Sequence, residues 1–208
     1  MQAHLGALSE TCQTARIKPI ESLASADDSK GTWFKACRPS VRARTRDSSD
    51  LYPVYGPYLN GGFLSHVMGK IFVRTGIEGI KFRIHHAFLG DVTNPNQEVL
   101  SQTQLAHMHA KSWEDWYAHY QYRHAKGSYR DELKPVGATQ SGALNLHQFF
   151  AEIDAAEGLD GLRLFFDTVC AATPEHRAKL EGLGLLRHHD LDLDAKTQKH
   201  FPNWAAKA

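Results

Sequence analysis

The sequence predicts an α+β protein in which a small antiparallel sheet packs with C-terminal helices. Two observations lead to this class: apolar and polar residues alternate with period two between residues 70 and 109, and helical periodicity follows from residue 112 onward. A third is that strands and helices do not alternate along the chain. The 208 residues, 42% of them hydrophobic, are enough for one domain with its own core.

Residues 1–50 are expected to form a polar, partly flexible lead-in, so that the single α+β domain covers residues 51–208. The lead-in is rich in Ser, Ala, Asp and Arg, and its apolar anchors are confined to GTWFKAC (31–37). A loop rich in Pro, Gly and Tyr follows at 50–63. We therefore expect regular structure to begin near residue 69.

The predicted sheet is a hairpin plus a third strand. KIFVRTG (70–76) and IKFRIHHAFLG (80–90) are typical of strands, and the Gly-bounded turn between them predicts that they pair with each other. VLSQTQLAHMH (99–109) supplies the third strand, with Leu105, His107 and His109 on one face.

The predicted helices begin at Ser112, an N-cap residue with Asp115 three positions later. This first helix presents one aromatic stripe and is expected to end at Gly127. Two amphipathic segments separated by glycine follow at 143–158 and 161–172. The next helix carries the boundary pattern Thr-Pro at its start and Gly at its end, over 173–184, and a short final helix precedes Pro202.

The composition of the chain limits the expected cellular location and the expected binding partners. The formal net charge of +1 gives no whole-molecule field that would favour specific nucleic acid binding. Cys12, Cys37 and Cys170 are far apart, which argues against a structural zinc site and a disulfide framework and suits a reducing cytoplasm. The first residues carry no secretory pattern, and no apolar run reaches the ~18 residues that a membrane span needs. We expect a cytoplasmic protein.

His107 and His109 are the candidate metal ligands. Residues two apart on a strand point the same way and lie roughly 6.5–7 Å apart, so their imidazoles can share one divalent ion. A site needs a third ligand, which His85, His86 or a carboxylate brought in by folding could supply. The alternative is that one histidine packs and the other makes a hydrogen bond.

His66, Lys70 and Arg74 are the candidate substrate-binding residues, because cations that lead a strand out of a Gly-rich loop can hold phosphate oxygens. The alternative places Lys70 and Arg74 on a solvent-exposed face. Neither common phosphate-cradling loop is present, and no nucleophile elbow occurs, so the catalytic residues stay unassigned.

Four stretches together resemble the C-terminal, acceptor-side half of bacterial family 2-type glycosyltransferases. They are GKIFVR (69–74), IHHAF (84–88), LAHMHAKSWEDWYAHYQYRHAKG (105–127) and LGLLRHHDLDLDAKTQKHFP (183–202), and the resemblance covers about residues 55–202. It implies a GT-A fold and transfer of a sugar from a nucleotide sugar to a surface glycan. It also implies a divalent cofactor, Mn or Mg, on the donor diphosphate.

Carried over by position, the resemblance assigns His107 or His109 to the metal or diphosphate, with Lys70 and Arg74 in the same pocket. The chain departs from the family before Lys70, where a donor-binding half with an Asp-x-Asp is expected; Asp27 and Asp28 are adjacent instead. This predicts a truncated chain, with a protein partner that supplies the donor half. The alternatives are a non-catalytic accessory module derived from a transferase, or an unrelated His-rich metal-binding α+β protein.

Overall fold

The computed structural model describes residues 2–25, 31–126 and 144–203, and it confirms the α+β class. Within these ranges, five strands form one sheet and three form a smaller antiparallel sheet. The strands are β1 (Thr14–Ser22), β2 (Thr32–Lys35), β3 (Lys70–Val73), β4 (Ile80–Phe82), β5 (Ala87–Leu89), β6 (Val92–Thr93), β7 (Gln97–His107) and β8 (Leu186–His189). The helices are α1 (Gln2–Gly6), α2 (Val41–Leu51), α3 (Trp113–Lys126), α4 (Leu146–Val169), α5 (Pro174–Gly182) and α6 (Leu193–His200).

The centre of the larger sheet is β1. One edge of β1 pairs with β7 in parallel from Thr14 to Glu21, with a shift of register between Arg16 and Lys18. The other edge pairs antiparallel with β3 near its start and with β2 at its end. Strand β8 then extends the sheet beyond β2.

The structure therefore differs from the lead-in that we expected for residues 1–50. Strand β1 is buried almost throughout, and α2 runs across the expected boundary at residue 51. Its sequence, TARIKPIES, hides this role because Arg16, Lys18 and Glu21 interrupt the apolar pattern of a buried strand. Pro19 pairs only with Leu105 of β7. On the other edge of β1 it lies between the residues that pair with β3 and those that pair with β2, so no strand there requires a backbone N–H from this position.

The predicted hairpin between residues 70–76 and 80–90 is wrong in its pairing. Strand β3 pairs with β1, whereas β4 pairs with β5, which in turn pairs with β6. The long second strand is interrupted by a turn in which the Arg83 amide donates to the His86 carbonyl. The third predicted strand is present as β7, and its partner β1 was not foreseen.

The helices from residue 112 onward agree closely with the sequence predictions, whereas α1 and α2 fall in the expected lead-in. Ser112 accepts from the Asp115 amide at the start of α3, and Thr173 caps α5. Gly158, with φ 58° and ψ −140°, interrupts α4 where the glycine was expected to separate two segments. Gly127, the predicted end of α3, and the Asp27–Asp28 pair lie outside the described residues.

Helices α3, α4 and α5 enclose the main core together with the 51–64 loop and the end of the sheet. Its largest fully buried side chains include Trp116 of α3 and Phe150 and Phe165 of α4. Among the described helices, none combines the length and the apolar character that crossing a membrane requires.

Candidate metal centre

The candidate site is built on the end of β1, around the carboxylate of Glu21. In the sheet register, Glu21 lies opposite Lys35 of β2 on one side and opposite His107 of β7 on the other. Side chains opposite each other on neighbouring strands share a face of the sheet, so strand pairing sets an ammonium, a carboxylate and an imidazole in a row.

The carboxylate of Glu21 is held firmly in this row. Its Oε1 lies 3.1 Å from Lys35 Nζ and accepts from the Leu64 amide at 3.1 Å, while Oε2 accepts from the Ser65 amide at 2.7 Å. Glu21 is 1% exposed and Lys35 is 2% exposed. The two backbone amides come from the Gly-rich loop before β3, which closes over the end of the sheet.

His109 lies two residues beyond the end of β7. Its amide donates to Ser22 Oγ at 2.9 Å, and Ser22 is the last residue of β1. This contact holds the chain against β1 after regular pairing has ended. As a result, the rings of His107 and His109 lie near each other, with centroids 5.8 Å apart and planes 28° apart.

Glu21, His107 and His109 can each offer one ligand atom, and these atoms all lie within 4.8 Å of one another. Two imidazoles and a carboxylate form a donor set that zinc, manganese and iron accept. The prediction that the rings of His107 and His109 lie side by side agrees with their observed positions. The third group is Glu21, a carboxylate brought in by folding, and His85 and His86 are not part of the cluster.

Two of the three groups are in the ionisation state that binds metal, with the Lys35 ammonium beside them. Burial by itself would raise the pKa of Glu21, but the Lys35 ammonium, His109 and the bonds from Ser65 outweigh it and lower that pKa to about 2. Burial lowers the pKa of His109 to about 4, against the opposing effect of Glu21. At neutral pH the site therefore contains an ionised carboxylate and a neutral imidazole, the forms in which both bind metal.

Three buried ring nitrogens at the site have no hydrogen-bond partner among the described residues: Nδ1 of His107 and both nitrogens of His109. A buried polar atom without a partner costs about 1–3 kcal/mol, so such atoms are rare unless a ligand or water binds them. The arrangement fits a bound divalent ion that takes one nitrogen lone pair from each ring, the other nitrogen of a neutral His109 being an N–H.

Lys35 connects this site to a second buried polar chain. Its ammonium donates to the Val169 carbonyl at 2.9 Å, at the C-terminus of α4, where the helix dipole favours a cation. It also lies 5.3 Å from the centroid of the Tyr52 ring. Tyr52 Oη lies 2.7 Å from His176 Nε2, and His176 Nδ1 lies 2.8 Å from the Ala171 carbonyl oxygen. The carbonyl can only accept, so Nδ1 carries the proton and the Tyr52 hydroxyl donates to Nε2.

Two of the three predicted substrate-binding residues, Lys70 and Arg74, lie away from the Glu21 cluster, whereas His66 follows Ser65, whose amide binds Glu21. Lys70 is exposed and opposite Ile17, four residues along β1 from Glu21, or about 13 Å. Arg74 donates to the carbonyls of Cys12 and Ser9, beyond the opposite end of β1. His66 is exposed and stacks on His85. The structure thus does not bring the cations and the two candidate metal ligands into one pocket.

Glu21 and Lys35 are the site residues that the sequence analysis missed. Both fall in the stretch interpreted as a lead-in, and neither belongs to a local motif. The available signal was weak: a lone carboxylate in Ile20–Leu23, between apolar residues, and a lone lysine after Trp33 and Phe34. Only the register of β1 against β2 and β7 brings them to the histidines.

Comparisons with known proteins yield no match: no protein-family model, no curated protein and no solved structure is similar to this chain.

Proposed function

We propose that this protein binds one divalent transition-metal ion through Glu21, His107 and His109. The observation that supports this most strongly is the convergence of the three ligand atoms within 4.8 Å, at a place where three ring nitrogens are buried without partners. Glu21 Oε1 already has two partners and Oε2 has one, so Oε2 is the oxygen with more room for an ion.

The three ligand side chains, two imidazoles and one carboxylate, favour some divalent metals over others. Two imidazoles favour manganese, iron or zinc over magnesium, which prefers six oxygen ligands and retains several waters. Of the two ions expected for a family 2-type transferase, manganese fits this site better. Three protein ligands also leave coordination positions open for a substrate or water.

The test is titration of Mn²⁺ and, separately, Mg²⁺ into protein stripped of metal with EDTA, measured by calorimetry. We expect saturable one-to-one binding of Mn²⁺ and much weaker binding of Mg²⁺. His107→Ala, His109→Ala and Glu21→Gln should each weaken Mn²⁺ binding at least about tenfold, since even residues behind the ligands contribute that much in metal sites.

His119→Ala is the matched control, because His119 is exposed on α3 and pairs with Asp115 at 3.6 Å. It should leave Mn²⁺ binding unchanged. Absence of saturable binding in the wild-type protein, or equal binding by the His109→Ala and His119→Ala variants, would show that the cluster is a purely structural polar network.

Sugar transfer is the second candidate, favoured by the position of the two histidines. The resemblance to family 2-type glycosyltransferases assigns His107 or His109 to the metal or diphosphate, and these two residues adjoin a buried carboxylate in the structure. A bound cation would supply stabilisation of the negative charge on a leaving diphosphate. Glu21 and the two imidazoles would hold that cation, and a nucleotide sugar and a surface glycan would be the substrates.

Thermal denaturation with UDP- or GDP-sugars and Mn²⁺ separates the candidates. Stabilisation that requires both the sugar nucleotide and the ion supports the transferase. Stabilisation by Mn²⁺ alone, lost in His107→Ala and His109→Ala, supports metal binding for a different chemistry. A melting temperature that responds to neither supports a non-catalytic accessory module.

A further inference from the structure

A second group of basic residues lies at the start of β3, away from the candidate metal centre. We call it the Arg16 cluster; it consists of Arg16, His66, Lys70 and His85. Arg16 holds the group together, because its guanidinium donates to the Met68 carbonyl at 2.8 Å and to the His85 carbonyl at 3.1 Å.

The charge of Arg16 has no counterion in the described part of the chain. The residue is 2% exposed, and its third hydrogen bond goes from Nε to the amide oxygen of Gln97 at 3.0 Å. Among the described residues, no carboxylate lies within ion-pair distance of this guanidinium. Buried charges are normally paired, so an uncompensated cation favours the approach of an anion.

The two histidines of the cluster stack with ring centroids 4.3 Å apart and planes 16° apart. Backbone contacts orient both rings. The Met68 amide donates to His66 Nδ1 at 3.1 Å, which puts the proton of a neutral His66 on Nε2. His85 Nδ1 donates to the Gly69 carbonyl at 2.8 Å. Protonation of His85 at Nε2 would therefore add a second N–H donor without breaking this bond.

Both Nε2 atoms lack a hydrogen-bond partner among the described residues. The pKa of His66 is lowered by burial and then by His85, His86, Lys70 and Arg16. Lys70 and Arg16 are cations, so the field they set up at this ring favours an anion. Gly69 permits the close packing, because at φ +70° a Cβ there would lie 2.0 Å from the Ile17 carbonyl oxygen.

We propose that the Arg16 cluster is a binding site for a phosphoryl group, held by the Nε2–H of His66, by the Nε2–H that His85 gains on protonation and by the Lys70 ammonium. A phosphoryl group offers several acceptor oxygens and a double negative charge, which match imidazole and ammonium donors. This site does not depend on the proposed metal ion. Its phosphoryl group can belong to a free phosphate or diphosphate or to a lipid headgroup.

The test uses the full chain after removal of metal, with inorganic phosphate and then pyrophosphate as probes. The Hε1 proton resonances of His66 and His85, assigned with His66→Gln and His85→Gln variants, should shift in a saturable way. Lys70→Gln should weaken phosphate binding about tenfold, the effect of one lost charge-assisted contact. His66→Ala should weaken it similarly.

Lys126→Gln removes the same charge from an exposed position on α3 and is the control that should leave binding unchanged. No saturable shift in the metal-free protein, equal binding by Lys70→Gln and Lys126→Gln, or binding that requires Mn²⁺ would overturn the site. Because phosphate binding is measured without Mn²⁺, its result is independent of whether the metal centre binds an ion.

A lipid source is distinguished by sedimentation with phosphatidylcholine vesicles that contain or lack phosphatidic acid. Pelleting only with phosphatidic acid, reduced in Lys70→Gln but not in Lys126→Gln, identifies a headgroup as the source. If free phosphate shifts both resonances and no vesicle pellets the protein, the ligand is a soluble phosphate. Both results support the phosphoryl site.

Discussion

Replacing Lys35 by methionine should destabilise the protein by about 3 kcal/mol. The substitution keeps an apolar side chain of similar length, but it removes an ammonium 3.1 Å from Glu21 Oε1 and its bond to the Val169 carbonyl. Breaking a buried ion pair costs about 3–5 kcal/mol, because the remaining charge loses its counterion. The lower end applies here, since Glu21 keeps two backbone N–H donors, from Leu64 and Ser65.

Urea unfolding of metal-free protein at neutral pH measures this change, provided that the slope of free energy against urea stays constant. The same experiment on Glu21→Gln and on the double variant completes a double-mutant cycle. The double variant should cost less than the two single changes together, by about 2 kcal/mol or more, because it leaves neither charge unpaired.

Lys179→Met is the control, since it breaks an exposed pair with Glu175 and should scarcely change stability. If Lys35→Met unfolds at the same urea concentration as this control, the pair does not stabilise the sheet. If the costs of the two single changes at Glu21 and Lys35 simply add, the charges do not act on each other, and the reasoning about the site is refuted.

Three further predictions concern the surroundings of the site. In urea unfolding, Gly69→Ala should lower the free energy of unfolding by at least 2 kcal/mol more than Gly90→Ala does. Both glycines have positive φ. A Cβ at Gly69 would lie 2.0 Å from the Ile17 carbonyl oxygen, whereas a Cβ at Gly90 would have no atom within 4 Å. Equal costs would contradict the packing described. Tyr52→Phe should cost about 1–3 kcal/mol, because it removes the 2.7 Å buried hydrogen bond to His176; wild-type stability would mean that the bond is not formed. Burial lowers the pKa of His176 from 6.5 to about 4, so the unfolded chain binds more protons between these values, and stability should fall by about 3 kcal/mol as pH falls from 7 to 4. In His176→Gln this part of the pH dependence should disappear, and an unchanged pH profile of the unfolding free energy would refute the assignment.

The helical part of the fold could be predicted from local signals. Ser112 and Thr173 cap α3 and α5, and Gly158 interrupts α4, as their positions in the sequence indicate. Capping and helical periodicity act within a few residues, so a single sequence contains the information. The aromatic stripe of α3 is likewise largely structural, since Trp116 and Tyr120 are buried in the core.

Half of the candidate site could also be predicted, for the same reason. His107 and His109 are two residues apart at the end of a strand, and this spacing predicts that their rings lie on one side. The bond from the His109 amide to Ser22 Oγ then holds His109 in place. The positions of Lys70 and Arg74 could not be derived in this way, because which end of β1 each one meets depends on the register of β3.

The sequence by itself determined α3 to α6, β7 and the two-residue spacing of His107 and His109, because each follows from residues close in the chain. Tertiary structure alone decided that the polar stretch Thr14–Ser22 is the central strand. It also brought Glu21 and Lys35 beside residues more than seventy positions away. Pairing between distant strands is selected by burial and hydrogen bonding over the whole sheet, and no short pattern in one strand specifies its partner.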